Sequence, residues 1–210
     1  MLLGKKAGFV FIHIPKTGGM SVKRALEKKV SGPLVLRAVH LCRRFGLNPP
    51  FGPYPPGYHY HAKAKDIAAV MGQQTFDRLF SFAFVRNPYS WQVSSYNYML
   101  KTDRRRTRAF MRELGSFEKY LEWRCTRGRK LQKDHVCDNH GRIMISFVGH
   151  YERFELDFQE ACRRMGLGPM ELPWLNRSNQ DAYEHYYTER TRRMVRETFA
   201  EDFALFGYEP

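Results

Sequence analysis

The chain has 210 residues, 43% of them hydrophobic and 27% charged, enough for one ordinary domain with a real core. That balance excludes a disordered chain, a collagen-like chain and a disulfide mini-protein. Lysine and arginine number 35 against 21 aspartate and glutamate, a net charge of +14, which gathers anions without saying whether they are nucleic acid, acidic membrane, charged sugar or nucleotide.

The first organised run is Phe9–Ile14 (FVFIHI), short, apolar and rich in aromatic and branched residues, which reads as a buried strand stopping at Pro15. Gly18 and Gly19 follow, and Ser21–Lys29 has helical composition. Leu34–Phe45 is a weaker helical segment, and Gly46–Gly57 is a glycine- and proline-rich loop. Ala62–Met71 reads as a helix closed by Gly72, and Phe80–Val85 (FSFAFV) as a second strand ending at Arg86-Asn87-Pro88. Tyr89–Lys101 then reads as helical, so the strand–turn–helix unit repeats. Thr102–Lys133 is basic and mostly helical, with a break at Gly115-Ser116. Ile143–Val148 is a third candidate strand, Leu156–Met165 a helix, and Thr188–Phe206 the last helix, ended by Gly207. Strands alternating with helices predict a single α/β domain over 1–210, with a central parallel sheet flanked by helices.

The chemistry starts at the first turn. Pro15-Lys16-Thr17-Gly18-Gly19-Met20-Ser21 lies between a strand and a helix, where backbone N–H groups and the helix dipole favour an anion. The glycines admit a phosphate close to the backbone, Thr17 and Ser21 add hydroxyls, and Lys16 adds a charge. The same residues would also serve as a tight turn with a surface lysine. No GxxxxGK[ST] occurs, so this P-loop-like site is not the nucleotide-kinase form. Arg86 at the end of the second strand and Ser94, about two turns into the next helix, could hold a second phosphate. Two anion sites at neighbouring strand ends suit a nucleotide phosphorylated at two positions.

FVFIHIPKTGGMS followed by FAFVRNPYSWQVSSYNY resembles the carbohydrate-type sulfotransferases that use 3′-phosphoadenosine 5′-phosphosulfate, the heparan sulfate 2-O-sulfotransferase type among them. The likeness continues through YHYHAKAKD, FVGHYERFELDF and LPWLNRSN to AEDFALFGY, and so spans Phe9 to Tyr208. It implies that Lys16 contacts the 5′-phosphate and the sulfuryl group while Thr17, Gly18, Gly19, Met20 and Ser21 cradle that phosphate. Arg86 and Ser94 would hold the 3′-phosphate, and Ser178 in Leu175-Asn176-Arg177-Ser178 would lie near the nucleotide. The family favours Thr or Ser where this chain has Met20, and often a basic residue where it has Trp91. The implied product is adenosine 3′,5′-bisphosphate, with no metal required.

Sulfuryl transfer also needs a base for the acceptor hydroxyl, and an imidazole near its ordinary value is suited to that task. The resemblance favours His61 in HAKAKD, with His59 in reserve; His13, inside the first strand, reads as a packed or structurally hydrogen-bonded histidine. Lys101, Arg104, Arg105, Arg106, Arg108 and Arg112, then Arg124, Arg127, Arg129, Lys130 and Lys133, form dense positive runs. They are either solvated helix faces or an acceptor groove for an anionic glycan. Cys125, His135, Cys137 and His140 match no compact zinc spacing, so no metal site is expected. The cysteines should be thiols, with a Cys125–Cys137 disulfide the alternative in an oxidising compartment.

The expected partner is a hydroxyl acceptor, a glycan by the resemblance with a small molecule or glycolipid as the alternative, anionic if the basic runs form its groove, and not nucleic acid. No apolar stretch reaches the ~18–20 residues of a membrane span, and the start MLLGKKAGFV lacks a signal-peptide core. The chain as it stands is therefore expected in the cytoplasm; with an anchor ahead of this sequence, the Golgi lumen is the expectation. Two rival functions are an ATP- and Mg²⁺-dependent phosphotransferase, which the absent Walker pattern disfavours, and a basic nucleic-acid-binding module, which lacks a recognisable signature.

Overall fold

Phenylalanine at every second position, Phe9 and Phe11 in one run and Phe80, Phe82 and Phe84 in the next, puts these rings on one side of two extended segments. The computed structural model describes residues 1–45, 61–173 and 183–210. It contains a four-stranded sheet of β1 (Leu2–Gly4), β2 (Phe9–Ile12), β3 (Phe80–Val85) and β4 (Phe147–His150), in that spatial order. β2, β3 and β4 are parallel, with Phe11 opposite Phe82 and Phe82 opposite Phe147. β1, absent from the sequence reading, adds an antiparallel edge that places Leu2 against Phe11.

The helices are α1 (Gly19–Val30), α2 (Pro33–Arg44), α3 (Ala64–Met71), α4 (Gln73–Asp77), α5 (Pro88–Lys101), α6 (Arg105–Leu114), α7 (Phe117–Thr126), α8 (Phe154–Arg164), α9 (Glu189–Thr198) and α10 (Ala200–Phe206). The alternation of strands and helices therefore gives an α/β fold with a mostly parallel sheet. The chain divides into two compact units: Met1–Val85 with Asp134–Leu175, and Arg86–Lys133 with Asn176–Pro210.

The first unit contains the whole sheet. Its phenylalanine face packs on Val22 and Leu26 of α1 and on Phe154, Phe158, Ala161 and Cys162 of α8. Phe82 is the hub, with ring centroids 5.1 Å from Phe11, 6.2 Å from Phe9 and 6.3 Å from Phe84. Val10, Ile12, Ala83 and Val85, on the opposite face, are equally buried. Burial of both faces explains why the parallel strands read as near-continuous apolar runs.

The third strand starts at Phe147 rather than at Ile143. Ser146 N–H donates to the Ser81 carbonyl at 2.8 Å and the two serine hydroxyls meet, which sets the register. Ile143 forms only an isolated bridge to Cys137 and is 41% exposed.

The second unit is helical and aromatic: Trp91 meets Phe199 at 6.1 Å, Tyr89 meets Phe203 at 5.1 Å and Tyr96 meets Phe117 at 5.1 Å. Ser116 caps α7, and a Thr188–Thr191 capping box opens α9. The helix expected over Thr188–Phe206 is broken at Phe199, whose buried ring accompanies a departure from helical backbone angles. Beyond the break, Asp202 of α10 accepts from the N–H groups of Gln132 and Lys133, each at 2.9 Å. Among the described residues no helix is long and apolar enough to cross a membrane.

Replacing Phe82 by Ala should cost about 3–5 kcal/mol of stability, read as a lower urea midpoint at unchanged slope.

Candidate functional site

The turn after β2 is built by backbone conformation. Lys16, with φ 66°, is the one non-glycine residue with positive φ among those described, and Gly18 follows at φ 80°. Left-handed residues on either side of Thr17 turn successive N–H groups toward one concave surface, the form of an anion nest. A lysine in that region is strained by roughly 1–2 kcal/mol relative to ordinary helical backbone. Thr17, fully buried, donates its hydroxyl proton to the Ile14 carbonyl at 2.9 Å. That hydroxyl therefore fastens the loop, where sequence reasoning counted it as a donor to the anion.

Gly18 is the N-cap of α1 and no side chain caps this end; the first turn also carries no acid. Neither a first-turn acid nor a side-chain cap therefore meets the positive end of this helix dipole. A Cβ on Gly18 would overlap the Phe154 ring, and one on Gly19 would overlap the His13 imidazole. Both glycines are therefore required by close packing from behind the loop. Ser21 is buried in the first turn, whereas Met20 is 51% exposed. The thioether points to solvent, so Met20 offers this loop its backbone.

His61 lies just ahead of α3. Its Nδ1 is 2.9 Å from the His13 carbonyl oxygen, and the two rings stand 4.7 Å apart. A carbonyl only accepts, so Nδ1 carries the proton and the neutral ring keeps its lone pair on Nε2, the form a general base needs. His13 meets the α1 start through its ring and His61 through its carbonyl. Cradle and imidazole thus meet on one residue, which the sequence reads as packed or structurally hydrogen-bonded and which the structure shows in both capacities. His13 itself is held well below its ordinary value, first by burial and then by His61, the chain's amino terminus, Lys23 and His135. His59 and Ser178 lie outside the described residues, as do the Gly46–Gly57 loop and the Leu175–Ser178 segment.

β2 and β3 are parallel neighbours, with Ile12 opposite Ala83, so the chain leaves both at the same edge of the sheet. In the second unit, Arg86-Asn87-Pro88 is a helix start. Asn87 caps α5 by accepting from the N–H groups of Tyr89 and Ser90, with Pro88 at the first helical position. Arg86 is only 4% exposed, and its Nε donates to Ser90 Oγ at 2.9 Å. Ser94, half-buried, lies one turn beyond Ser90 on the same helix face.

The Arg86 backbone is clasped by a fully buried side chain, Gln132. Arg86 N–H donates to Gln132 Oε1 at 2.8 Å, and Gln132 Nε2 donates to the Arg86 carbonyl at 2.7 Å. No motif marks Gln132 or Asp202 in the sequence. Ser90, four residues after Arg86, was findable from helical spacing alone.

The basic runs separate. Arg124 is buried over the Trp91 ring and donates to Gln92 Oε1 at 3.1 Å and to the Gly128 carbonyl. Burial lowers its guanidinium and pushes the Tyr120 phenol up to about 12. This residue belongs neither to a solvated face nor to an acceptor groove. Arg129 and Lys133 pair with Glu201, so the second run is partly neutralised. By contrast Arg104, Arg105, Arg106, Arg108 and Arg112 are exposed, and among the described residues none forms an ion pair. Cys42, Cys125, Cys137 and Cys162 are all thiols, so the alternative Cys125–Cys137 bridge is not formed. Among the described residues, no three His, Cys, Asp or Glu side chains gather as a metal-binding group.

Lys16→Gly should relieve the strained φ and leave the protein equally stable or more stable by up to about 1 kcal/mol, while anion binding at the loop weakens. Lys16→Ala should lose the same binding without that gain. A paired thermal melt and phosphate-analogue titration reads both.

A second expectation concerns pH. Above the ordinary value of 6.5, His13 is neutral folded and unfolded. Below it the unfolded chain takes up a proton that the folded chain refuses, so stability falls as pH falls. The melting temperature should drop between about pH 7.5 and 5.5, with a shallower slope in His13→Asn.

The first unit therefore offers a glycine turn with a strained lysine and an imidazole anchored on His13, and the second unit, taken by itself, an arginine whose backbone and Nε are both hydrogen-bonded. A relative from Archaeoglobus fulgidus, an uncharacterized protein, is 28% identical over 102 residues, covering 49% of this chain and 79% of its own. The family model described as "Sulfotransferase family" matches residues 1–209. With that match running from end to end, the chain belongs to the sulfotransferase family.

Proposed function

We propose that the protein transfers a sulfuryl group from 3′-phosphoadenosine 5′-phosphosulfate to a hydroxyl, most naturally one on a carbohydrate. The observation that carries this reading is the meeting of the phosphate-type cradle and His61 on His13. An anion with tetrahedral oxygens fits the nest, because the helix start lacks both an acid and a side-chain cap. The nucleotide, when bound, supplies the sulfuryl group and a phosphate as its leaving group.

The chain's own residues do the rest. Backbone N–H groups from Lys16 to Met20, with the Ser21 hydroxyl, hold the 5′-phosphate, and the Lys16 ammonium offsets charge that grows on the bridging oxygen. Arg86 binds the 3′-phosphate as a charge-assisted donor, aided by Ser94. His61 takes the acceptor's proton on Nε2 while its Nδ1–H stays anchored to the His13 carbonyl. His59 is the reserve base, and Ser178 a further contact to the nucleotide. The chemistry calls for no metal.

The α6 face supports an anionic acceptor. Arg104, Arg105 and Arg106 crowd the positive end of a helix whose first turn contains no acid. Each such charge costs roughly 0.3–1 kcal/mol, and like charges at i,i+4 add a few tenths more. The folded chain offers these arginines no ion pair among the described residues, and a carboxylated or sulfated glycan would supply the missing charge.

Adenosine 3′,5′-bisphosphate without metal should raise the melting temperature, by about 2.7 kcal/mol of stabilisation at a hundred times its dissociation constant. Stabilisation only by ATP with Mg²⁺, or only by an oligonucleotide, would transfer the assignment to a phosphotransferase or a nucleic-acid module. In acceptor screens with labelled donor, His61→Ala should lower turnover by roughly 10²–10⁴-fold with bisphosphate binding retained. Charge reversal at Arg105, Arg108 and Arg112 should slow transfer to anionic glycans and spare small neutral acceptors.

A further inference from the structure

The polar network behind Arg86 is built more completely than a helix start requires. Asn87 and Pro88 already begin α5. Yet Gln132, from a segment remote in sequence, closes two hydrogen bonds on the backbone of a single residue, accepting from Arg86 N–H and donating to its carbonyl. A carboxamide used in this way imitates the facing peptide of a neighbouring strand, and it does so at the residue where β3 has just ended.

The clasp is itself held. Gln132 N–H donates to Asp202 Oδ2 and Lys133 N–H to Asp202 Oδ1, each at 2.9 Å. Gln132 and Asp202 are both fully buried. Arg124, also buried, fastens the preceding turn through the Gly128 and Lys130 carbonyls. Farther out on Arg86, Nε is held by Ser90, whose hydroxyl donates back to the Asn87 carbonyl at 3.2 Å. A buried network in which both polar atoms of the Gln132 carboxamide and both Asp202 oxygens are bonded has little freedom to relax, so it specifies one position. What it positions is the Cα and first side-chain nitrogen of one arginine.

We infer that Gln132 is the positioning residue that sets Arg86 for the 3′-phosphate, and that it thereby determines how strongly the protein prefers a 3′-phosphorylated nucleotide to one with a free 3′-hydroxyl. This rests on the assignment of Arg86 to that phosphate. A guanidinium bonds a phosphate in a fork geometry that tolerates little displacement. A carrier backbone free to shift by even an ångström forfeits much of that interaction while leaving the rest of the nucleotide site unaffected.

The test compares dissociation constants for adenosine 3′,5′-bisphosphate and adenosine 5′-monophosphate, which differ only in the 3′-phosphate. Wild type, Gln132→Met, Gln132→Glu and Arg86→Ala are measured by calorimetry. Gln132→Met removes both bonds; Gln132→Glu keeps the acceptor for Arg86 N–H and loses the donor, and remains available if the methionine variant does not fold. In folded Gln132 variants the preference for the bisphosphate should fall roughly tenfold or more, with monophosphate affinity within about twofold of wild type. A residue that merely supports the fold would lower the melting temperature and leave the preference intact. That result, alongside a collapsed preference in Arg86→Ala, overturns the inference while the arginine's assignment stands. An unchanged preference in Arg86→Ala removes the assignment and the inference together.

Discussion

The turn from β2 into α1 depends on two missing Cβ atoms. Because Gly18 and Gly19 present bare backbone, the Phe154 and His13 rings close up behind the loop. A side chain at either position would have to displace one of those rings. Lys16 then occupies a left-handed conformation that few lysines adopt. A local strain of this size persists only where the surroundings over-determine it, and here they do: Thr17 is tied to Ile14, and α1 is packed through Val22 and Leu26. The core of the first unit thus holds a site that would relax if left alone.

The cradle loop and Arg86, the two proposed anion contacts, are fixed in different ways. At the cradle, direction comes from main-chain conformation, and the exposure of Met20 shows how little that element needs its side chains. At Arg86, direction comes from a side chain whose backbone and first nitrogen are both hydrogen-bonded. The first suits close contact with a group deep against the backbone; the second suits a charged group that must be reached.

Charge along the chain is distributed for different purposes that a linear count merges. Arg124 supports the interior of the second unit, Arg190 bridges Glu118 and Glu122, and Lys133 meets Glu201. The α6 arginines, by contrast, are exposed and form no ion pair among the described residues. His13 adds a further constraint, since it must stay neutral among several cations, and burial is the largest cause of that neutrality. The same burial leaves its carbonyl fixed as the acceptor for His61.

What the amino-acid order determines by itself is local. Strand runs, glycine turns and helix starts depend on neighbours a few residues apart, so PKTGG after a strand and RNP before a helix were legible as turns into helices, and could be nominated as anion contacts, without any structure. The start of β4 was not, because it is decided by a partner distant in sequence, Ser81; nor were the short edge strand β1, too brief to show a pattern, and the break at Phe199, which comes with burial of its ring. The same holds for the site. Lys16, Arg86 and His61 could be nominated from motif and spacing, but the dual role of His13 and the clasp of Gln132 arise only when separate segments fold together. A hydrogen bond to a backbone atom leaves no mark in the sequence of the residue that accepts it, and tertiary structure alone creates the pairing.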